Sequence, residues 1–485
     1  MGLVGRPLRG VALLALVLAA GGACRDSVRV EGEGPLDIDP YLTGIGTDWA
    51  ALNWRTRAAR VSRISYGITF DCELGEIELD NRAQHRVELT GLSPGTRYHY
   101  EVDNQFRGSF RTVHPSDHLR FAVIGHTHGT ENPGHYPDEW LTESVRALQP
   151  QFLIHVGDAT YHATPGDFGK YFFRPFSAVL SSIPVYLAPG NHDAGWPFIH
   201  GKNLSVFKEL FPYPYPSGQS EDEDAYYASS RGSTLLLFLS YTSEIGPGSA
   251  QRNWIEQQIK ESDHTFHALV YGGVGKYFDG PSLLDFAADL GVDWILNGDG
   301  DQEPMFRRHR GMPVFFTGSS TDRPHVLLLG EAREYFVEFQ ALEASGTFRG
   351  KWGVHSKREL EPFYELTPFR ILKDGRTHKY RFKFEPPIDL SNVGGLQMKI
   401  SAQVQDGRLS LSYVTPDTAV RGERGYRTQS VSIGSGDTLV TTSLPSIDPF
   451  TGEAFAMREL LVQFGPLHEG EDITVESFRL FAPRN

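Results

Sequence analysis

Polar side chains that can bind a metal ion follow four apolar runs in the middle of the chain. Such runs are typical of buried strands, and in open α/β proteins ligands bind at the carboxyl ends of the strands. Imidazole, carboxylate and amide groups together suit a divalent or trivalent metal of borderline hardness. The four stretches are FAVIGHTHG with His126 and His128, LIHVGDATY with Asp158 and Tyr161, YLAPGNHD with Asn191, His192 and Asp193, and ILNGDGD with Asp299 and Asp301.

The last stretch places two carboxylates on either side of one glycine. In an extended backbone Asp299 and Asp301 point the same way, and their like charges repel unless a cation lies between them. The spacing resembles the start of a calcium loop, but its continuation puts Met305 and Arg310 at ligand positions, which excludes that motif. The alternatives are a rearranged metal site and a plain Asp-Gly-Asp turn.

Each motif alone is weak evidence, but their joint occurrence in this order is much more specific. Together they resemble the motifs of the calcineurin-like metallophosphoesterases, and within that family the purple acid phosphatase type. The resemblance covers residues 40–345. It includes GDATY at 157–161, GNHD at 190–193 and SAQRNWIEQQI at 249–259, where the family has a Gln…Trp-Leu helix.

The resemblance implies roles for the residues that match the family pattern. Asp158 matches the aspartate that bridges two metal ions, and Tyr161 matches the tyrosine that ligates ferric iron. Asn191 matches an amide ligand of the second metal that also lies at the substrate. His192 matches the histidine that contacts the phosphate and assists the leaving group, and His128 matches the second residue of the first motif.

Four metal positions depart from the family pattern. The first motif, Asp-x-His, is His126-Thr-His128 here, and the fifth, Gly-His-x-His, is Gly298-Asp299-Gly-Asp301. The histidine of the fourth motif falls on Gly272 or Gly273, which have no side chain.

The exchanges leave one metal site complete and the other short of a ligand. The second site retains Asp158, Asn191 and Asp299. We therefore expect one or two ions of Fe, Mn, Zn or Mg, with a weak second site. The ligands of the complete first site are His126, His128, Asp158, Tyr161 and Asp301. The alternative is that the whole site has decayed.

The elements that must position these residues are strands alternating with helices. The apolar runs of the middle segment are separated by helical stretches such as 139–148 and 251–260. This alternation predicts an α/β core buried on both faces. With the family resemblance, we expect residues 118–345 to form a metallophosphoesterase sandwich of two mixed sheets flanked by helices.

A β-sandwich is predicted on each side of this segment. Residues 38–115 contain alternating runs separated by turns, and LTGLSPGTRYHYEV resembles the fibronectin type III signature, with Tyr98 as its corner tyrosine and Trp54 in the core. Residues 346–375 read as a connector. Residues 376–485 read as a jelly-roll-like β-sandwich, loosely similar to carbohydrate-binding modules, with either a structural role or a glycan ligand.

The N-terminus has the pattern of an export signal. Arg6 and Arg9 precede an apolar run that is too short to span a bilayer, followed by small residues and Cys24. GGAC resembles a bacterial lipobox, so residues 1–24 are read as a signal and 25–37 as a linker. We expect a lipoprotein of the periplasm, outer membrane or cell surface, bound to a membrane only through an acylated Cys24. The alternative is a plain cleaved signal and secretion.

Composition excludes some functions. The chain has 485 residues, which is enough for about three domains, and a net charge of −14, which argues against a nucleic-acid partner. The sequence therefore predicts an exported, metal-dependent phosphoesterase that hydrolyses phosphate esters, with altered ligands and reduced activity. The alternative is a non-catalytic pseudophosphatase that binds glycan or envelope at the cell surface.

Overall fold

The computed structural model shows a chain built from three β-rich segments. The residues that it describes are 28–29, 34–115, 119–128, 139–195, 203–220, 222–272, 281–298, 305–317, 326–332, 336–343, 348–355, 362–366, 369–372, 378–389, 395–403, 407–414, 427–433, 436–443, 456–464 and 472–481.

The N-terminal segment is an antiparallel sheet with the strand order β1-β6-β5-β3-β2, in which β4 also pairs with β3. The long β3 joins two runs that the sequence reading separated. Register shifts between Arg55 and Ser62 let its first half pair with β2 and its second half with β5. The strands are β1 (Val28–Arg29), β2 (Leu36–Ile45), β3 (Trp49–Gly67), β4 (Gly75–Thr90), β5 (Arg97–Val102) and β6 (Phe106–Arg111).

The core of this sheet contains both aromatic residues singled out from the sequence. Trp54 is fully buried, and its indole N–H donates to the Ser62 hydroxyl at 2.9 Å. Tyr98 is buried, and its hydroxyl accepts from the Ser93 N–H at 2.8 Å, the contact expected of a corner tyrosine. The predicted linker 25–37 is partly in the sheet, because Val28–Arg29 pair with β6 and β2 begins at Leu36.

The central segment contains two mixed six-stranded sheets, in the orders β18-β17-β16-β7-β8-β9 and β10-β11-β12-β13-β15-β14. The strands are β7 (Leu119–Ile124), β8 (Phe152–His155), β9 (Val185–Leu187), β10 (Tyr227–Arg231), β11 (Thr234–Leu239), β12 (Phe266–Tyr271), β13 (Trp294–Asn297), β14 (Met305–His309), β15 (Met312–Phe316), β16 (Val326–Ala332), β17 (Phe336–Glu343) and β18 (Phe348–His355). Strands β7 to β9 are parallel, as are β11, β12, β13 and β15.

Strand β11 shows why these runs are apolar throughout. Successive side chains of a strand point to opposite faces. Leu236 and Phe238 belong to the core shared with the other sheet, whereas Leu235 and Leu237 belong to an outer cluster with Ile255. A strand covered on both faces needs apolar residues at every position.

Helices cover the outer faces. The two stretches predicted as helical, 139–148 and 251–260, are both helices, the second one residue longer at each end. None of the described helices has the length and apolar character needed to cross a membrane. The helices are Glu139–Leu148, Pro165–Phe168 continuing through a π-helical turn Gly169–Phe173 into Arg174–Leu180, the 3₁₀ turn His192–Ala194, Ser205–Leu210, Ala250–Glu261 and Pro281–Asp289.

The predicted connector, 346–375, is wrong as a separate segment. Strand β18 pairs with β17, so the central sheet extends to His355 rather than ending at 345. Strands β19 (Pro362–Leu366) and β20 (Phe369–Leu372) both pair with the last strand of the chain. These short edge strands mix charged and aromatic residues without a regular alternation, so they read as a loop in sequence.

The C-terminal segment has two antiparallel sheets, in the orders β19-β27-β22-β25 and β21-β26-β23-β24, and β20 also pairs with β27. Met398, Ile400 and Val475 are buried, and all three lie on the first of these sheets. The jelly-roll arrangement stays a prediction. The remaining strands are β21 (His378–Asp389), β22 (Gly395–Gln403), β23 (Gly407–Val414), β24 (Arg427–Ile433), β25 (Gly436–Ser443), β26 (Ala456–Phe464) and β27 (Asp472–Phe481).

The N-terminal sheet docks on the helical face of the central segment. Tyr41 is buried, its ring lies 4.5 Å from that of Phe173, and its hydroxyl donates to the Leu210 carbonyl. The Tyr100 hydroxyl donates to the Ser181 carbonyl at 2.8 Å. This contact joins the two segments through buried groups.

Candidate metal centre

Three of the predicted ligands lie together where β7 and β8 end. His126 and His128 follow β7, and Asp158 follows β8. One ligand atom from each lies within 4.8 Å of the others. Asp158 and His128 are buried, and His126 is half-buried. Two imidazoles and one carboxylate at this spacing are a competent partial ligand set for a divalent metal.

The two loops that carry these ligands continue the pairing of their strands. The His126 N–H donates to the Gly157 carbonyl at 2.9 Å, and the His128 N–H donates to the Asp158 carbonyl at 3.2 Å. His126 and Asp158 have positive φ angles of 50° and 57°. Non-glycine residues rarely adopt this conformation, and it concentrates at functional sites.

The buried Asp193 carboxylate stabilises the strained backbone at Asp158. Asp193 is fully buried and accepts four backbone N–H groups, from Asp158 at 2.8 Å, Ala159 at 2.9 Å, Thr160 at 3.2 Å and Gly190 at 2.9 Å. It therefore holds the loop after β8 against the loop after β9. Burial and the Asp158 charge raise the pKa of Asp193 to about 7, and the N–H donors limit that rise.

Asp158 is held ionised by its surroundings. Burial opposes its charge, but a hydrogen bond from His126 and the nearby imidazoles outweigh burial and lower its pKa to about 2. Its Oδ2 lies 3.2 Å from the His126 Nδ1, and its Oδ1 accepts from the His192 N–H at 3.0 Å. A carboxylate that is ionised near neutral pH is ready to bind a cation.

Tyr161 and His192 line the same centre. Their rings stack with centroids 5.1 Å apart, and the His128 ring lies 4.3 Å from that of His192. The His192 Nδ1 lies 3.1 Å from the Tyr161 carbonyl oxygen. Because a carbonyl oxygen only accepts, we place the hydrogen on Nδ1, which leaves Nε2 to exchange a proton with a substrate.

A buried contact between His155 and Thr127 supports the loop after β7. His155 lies in β8, is fully buried, and its Nε2 lies 2.8 Å from the Thr127 hydroxyl. Thr127 separates the two histidines of the first motif. Burial lowers the pKa of His155 to about 3, so it is neutral here. This pair fixes the turn between the two imidazoles.

Two glycines let the strand ends approach. A Cβ at Gly190 would lie 2.2 Å from the Asp158 Oδ1, so only glycine fits beside that carboxylate. A Cβ at Gly272 would lie 2.9 Å from the Gly157 Cα and 3.0 Å from the Gly190 N. The end of β12 therefore touches the backbone of both loops from the first sheet, and position 272 has no room for a ligand.

Apart from Asp193, the sequence predicts eight site residues, and the structure brings six of them together. His126, His128 and Asp158 form the cluster, Tyr161 and His192 line it, and Asn191 is buried at the start of the turn that carries His192. Asp299, Asp301 and Gly273 lie outside the described residues.

Two other histidines in this region are held by the protein: the His162 Nδ1 lies 2.8 Å from the Asp167 Oδ2, and His155 is buried inside β8. Sequence reasoning placed Asp193 among the polar residues at the strand ends without a specific role, and it gave Thr127 none. The only available signal for Asp193 was its place at the end of GNHD, which does not reveal four N–H donors from two loops.

Comparison with known proteins identifies the class. Residues 119–299 match the calcineurin-like phosphoesterase family. This part of the chain is a metallophosphoesterase domain of that family, and the relatives that the chain resembles include purple acid phosphatases. The family assignment made from the motifs is confirmed.

Two curated relatives come from Arabidopsis thaliana. The protein named "probable purple acid phosphatase 20" is 23% identical over 241 residues, which are 46% of this chain and 54% of that protein. A second, named "probable inactive purple acid phosphatase 9", is 20% identical over 212 residues, 36% of this chain and 33% of that protein. The chain thus spans about half or less of the length of these relatives.

Two solved structures share the fold. Purple acid phosphatase PPD1 from yellow lupin (Lupinus luteus) seeds matches with a TM-score of 0.50 at 15% identity. The match covers 66% of this chain and 74% of the PPD1 chain. PhoD matches with a TM-score of 0.53 at 10% identity, over 68% of this chain and 92% of the PhoD chain. At these identities the likeness concerns the fold alone.

Proposed function

We propose that this chain is a metal-dependent phosphoesterase whose centre is formed by His126, His128 and Asp158. The observation that carries the proposal is the convergence of their three ligand atoms within 4.8 Å at the carboxyl ends of two parallel strands. The phosphoesterase family match and the ionised state of Asp158 support it.

The donor set fits a metal of the family. Two imidazoles and a carboxylate suit Zn, Fe or Mn, and Mg fits less well because it prefers oxygen ligands. When bound, such an ion acidifies water and neutralises charge on a phosphoryl group. Tyr161 is a further ligand of this ion in our proposal, together with Asp301.

The other residues of the centre act on the substrate. The Tyr161 carbonyl orients the His192 ring, so its Nε2 faces away from that bond. In the imidazolium form, with both ring nitrogens protonated, Nε2 can give its proton to the leaving oxygen. Asn191, buried beside it, contacts the phosphate through its amide. Asp158, Asn191 and Asp299 form a weaker second cation site.

Metal content tests the proposal. We expect the protein expressed with Mn, Fe and Zn to retain close to one equivalent of metal and to hydrolyse a chromogenic phosphomonoester or its diester analogue. Asp158→Asn should lose both properties. Asp285→Asn removes a carboxylate that pairs with His309 elsewhere and should change neither.

A non-catalytic binding protein is the second candidate. The close contact of Gly272 with Gly157 and Gly190 favours it, because a second metal loses a ligand position there. A relative that is named inactive also belongs to this family. Less than about a tenth of an equivalent of metal, together with no turnover, would support this candidate.

We also propose export of the chain and anchoring through an acylated Cys24. The basic, apolar and small-residue order of the N-terminus supports this. Labelling with radioactive palmitate in a bacterial host should mark the native chain and not Cys24→Ala.

From the sequence patterns we also propose a fibronectin type III-like sandwich for the N-terminal segment and a glycan-binding jelly roll for the C-terminal segment.

A further inference from the structure

A groove of about 630 Å³ lies between one helix and the edge of the second central sheet. Its walls come from the helix Ala250–Glu261, from the edge strand β10 and the residue before it, and from the Pro-rich loop that precedes them. Its lining includes Pro214, Tyr226, Asn253, Trp254, Gln257 and Gln258.

The lining is uncharged, although 22% of the chain is charged. It combines an aromatic pair with three amides. The rings of Tyr226 and Trp254 lie 4.9 Å apart, and Trp254 is half-buried. The exposed Asn253 and Gln257 flank Trp254 on the helix, one residue before it and one turn after it. A lining without charge cannot neutralise a phosphate, so this groove suits a neutral ligand.

The walls of the groove are fixed to the sheet. Gln251 is buried, and its amide accepts from the Ser240 N–H at 2.7 Å and donates to the Ser240 carbonyl at 3.2 Å. Tyr226 precedes Tyr227, which pairs with Phe238 near the carboxyl end of β11. The Tyr241 N–H donates to the Pro189 carbonyl at 3.3 Å, in the loop that leads to Asn191. The Tyr226 side of the groove therefore lies near the carboxyl end of β11.

We propose that this groove binds a neutral carbohydrate. The Trp254 ring offers an apolar face for the C–H face of a sugar ring, while its N–H stays polar. Amides present donors and acceptors side by side, and sugar hydroxyls do the same, so Asn253, Gln257 and Gln258 can each satisfy hydroxyl groups. This site is separate from the phosphoesterase chemistry and does not depend on it.

The amides decide between a sugar and a proline-rich peptide. Aromatic and proline side chains alone would also accommodate a polyproline helix. A proline-rich segment has few backbone donors, however, so the exposed amide carbonyls of Asn253 and Gln257 would be left to water. A carbohydrate satisfies both sides of each amide, and the peptide is the other outcome of the test.

Calorimetric titration of the full chain tests the proposal. The probes are maltohexaose, cellohexaose and xylohexaose, with trigalacturonate as a charged comparison and a proline decapeptide as the rival. We expect saturable binding of at least one neutral oligomer, unchanged by a metal chelator. Trp254→Ala should weaken that binding by about tenfold or more, which is typical for the loss of a central aromatic contact.

Trp254 also packs against the outer core of the sheet, so a second variant separates binding from folding. The double variant N253A/Q257A changes two exposed side chains and should weaken binding several-fold with the same melting temperature. Phe70→Ala, on the exposed tip of another segment, should leave binding unchanged. Binding of none of the neutral oligomers, binding that both groove variants leave intact, or binding of the decapeptide alone would overturn the proposal.

Discussion

At the scale of single residues, the metal centre depends on the Asp193 carboxylate, which accepts hydrogen bonds from backbone N–H groups. Asp193 receives N–H donors from the loops after β8 and β9, and one of those donors belongs to Asp158 itself. Hydrogen bonds to the backbone that carries a metal ligand orient that ligand and affect metal affinity. Asp193 therefore acts as a positioning residue and not as a ligand.

We predict that Asp193→Asn weakens metal binding by about 10- to 100-fold and lowers the free energy of unfolding by about 3 kcal/mol, because an amide leaves buried N–H groups without acceptors. Metal titration and guanidinium unfolding measure the two effects. Asp167→Asn, at a half-exposed carboxylate paired with His162, is the control. Metal affinity equal to that of the native chain would contradict the positioning role.

His155 gives the stability a predictable dependence on pH. Burial lowers its folded pKa to about 3, below the value near 6.5 of an unfolded histidine. Between these values the unfolded chain binds a proton that the folded chain does not, so stability falls as the pH drops from about 6.5 towards 3. In the presence of a chelator, His155→Gln should reduce the slope of unfolding free energy against pH by up to about 1.4 kcal/mol per unit. An unchanged slope would contradict this.

At the scale of elements, the centre exists because strand ends from two sheets approach within backbone contact. Gly157 after β8, Gly190 after β9 and Gly272 after β12 meet without side chains between them. Any Cβ at position 272 must displace backbone atoms rather than a flexible side chain. Packed interiors tolerate such insertion poorly.

We predict that Gly272→Ala lowers the free energy of unfolding by about 1–3 kcal/mol, the usual cost of overpacking, and reduces metal affinity by moving the loop after β8. Gly169→Ala is the matched control, because a Cβ there meets nothing within 4 Å. That change should be neutral or stabilising. Thermal unfolding of both variants measures the difference, and equal stability would show that the strand ends can separate freely.

At the scale of the whole molecule, the N-terminal sheet completes the core of the central segment. Ile38 and Tyr41 are members of the large cluster that fills the space between the central sheets and helices. Arg55 adds an ion pair with Glu209 at 2.7 Å at the edge of this contact. A shared core makes the two segments one cooperative unit.

We predict that Tyr41→Ala lowers the free energy of unfolding by about 3–5 kcal/mol, as for other large aromatic residues removed from a core. The loss should appear in one calorimetric transition that includes both segments. Phe70→Ala is the control, since that ring is 70% exposed. Two separate transitions, with only the N-terminal one shifted, would contradict a shared core.

The sequence alone determined which elements form and which residue types carry the chemistry. Strands β7, β8, β9, β11, β12 and β13 could be predicted because strands covered on both faces require uninterrupted apolar runs. His126, His128, Asp158, Tyr161 and His192 could be found because each follows such a run at the edge where ligands bind. These signals are local, so one sequence is enough to show them.

The tertiary structure decided the distances and the boundaries. That three ligand atoms lie within 4.8 Å, that Asp193 joins two loops and that Gly272 closes against Gly157 all depend on the packing of separate strands. The extension of the central sheet to β18 depends on pairing with β17, where charged residues hide the strand pattern. Contacts between residues far apart in the chain follow from register and from close packing of the sheets, which no local pattern encodes.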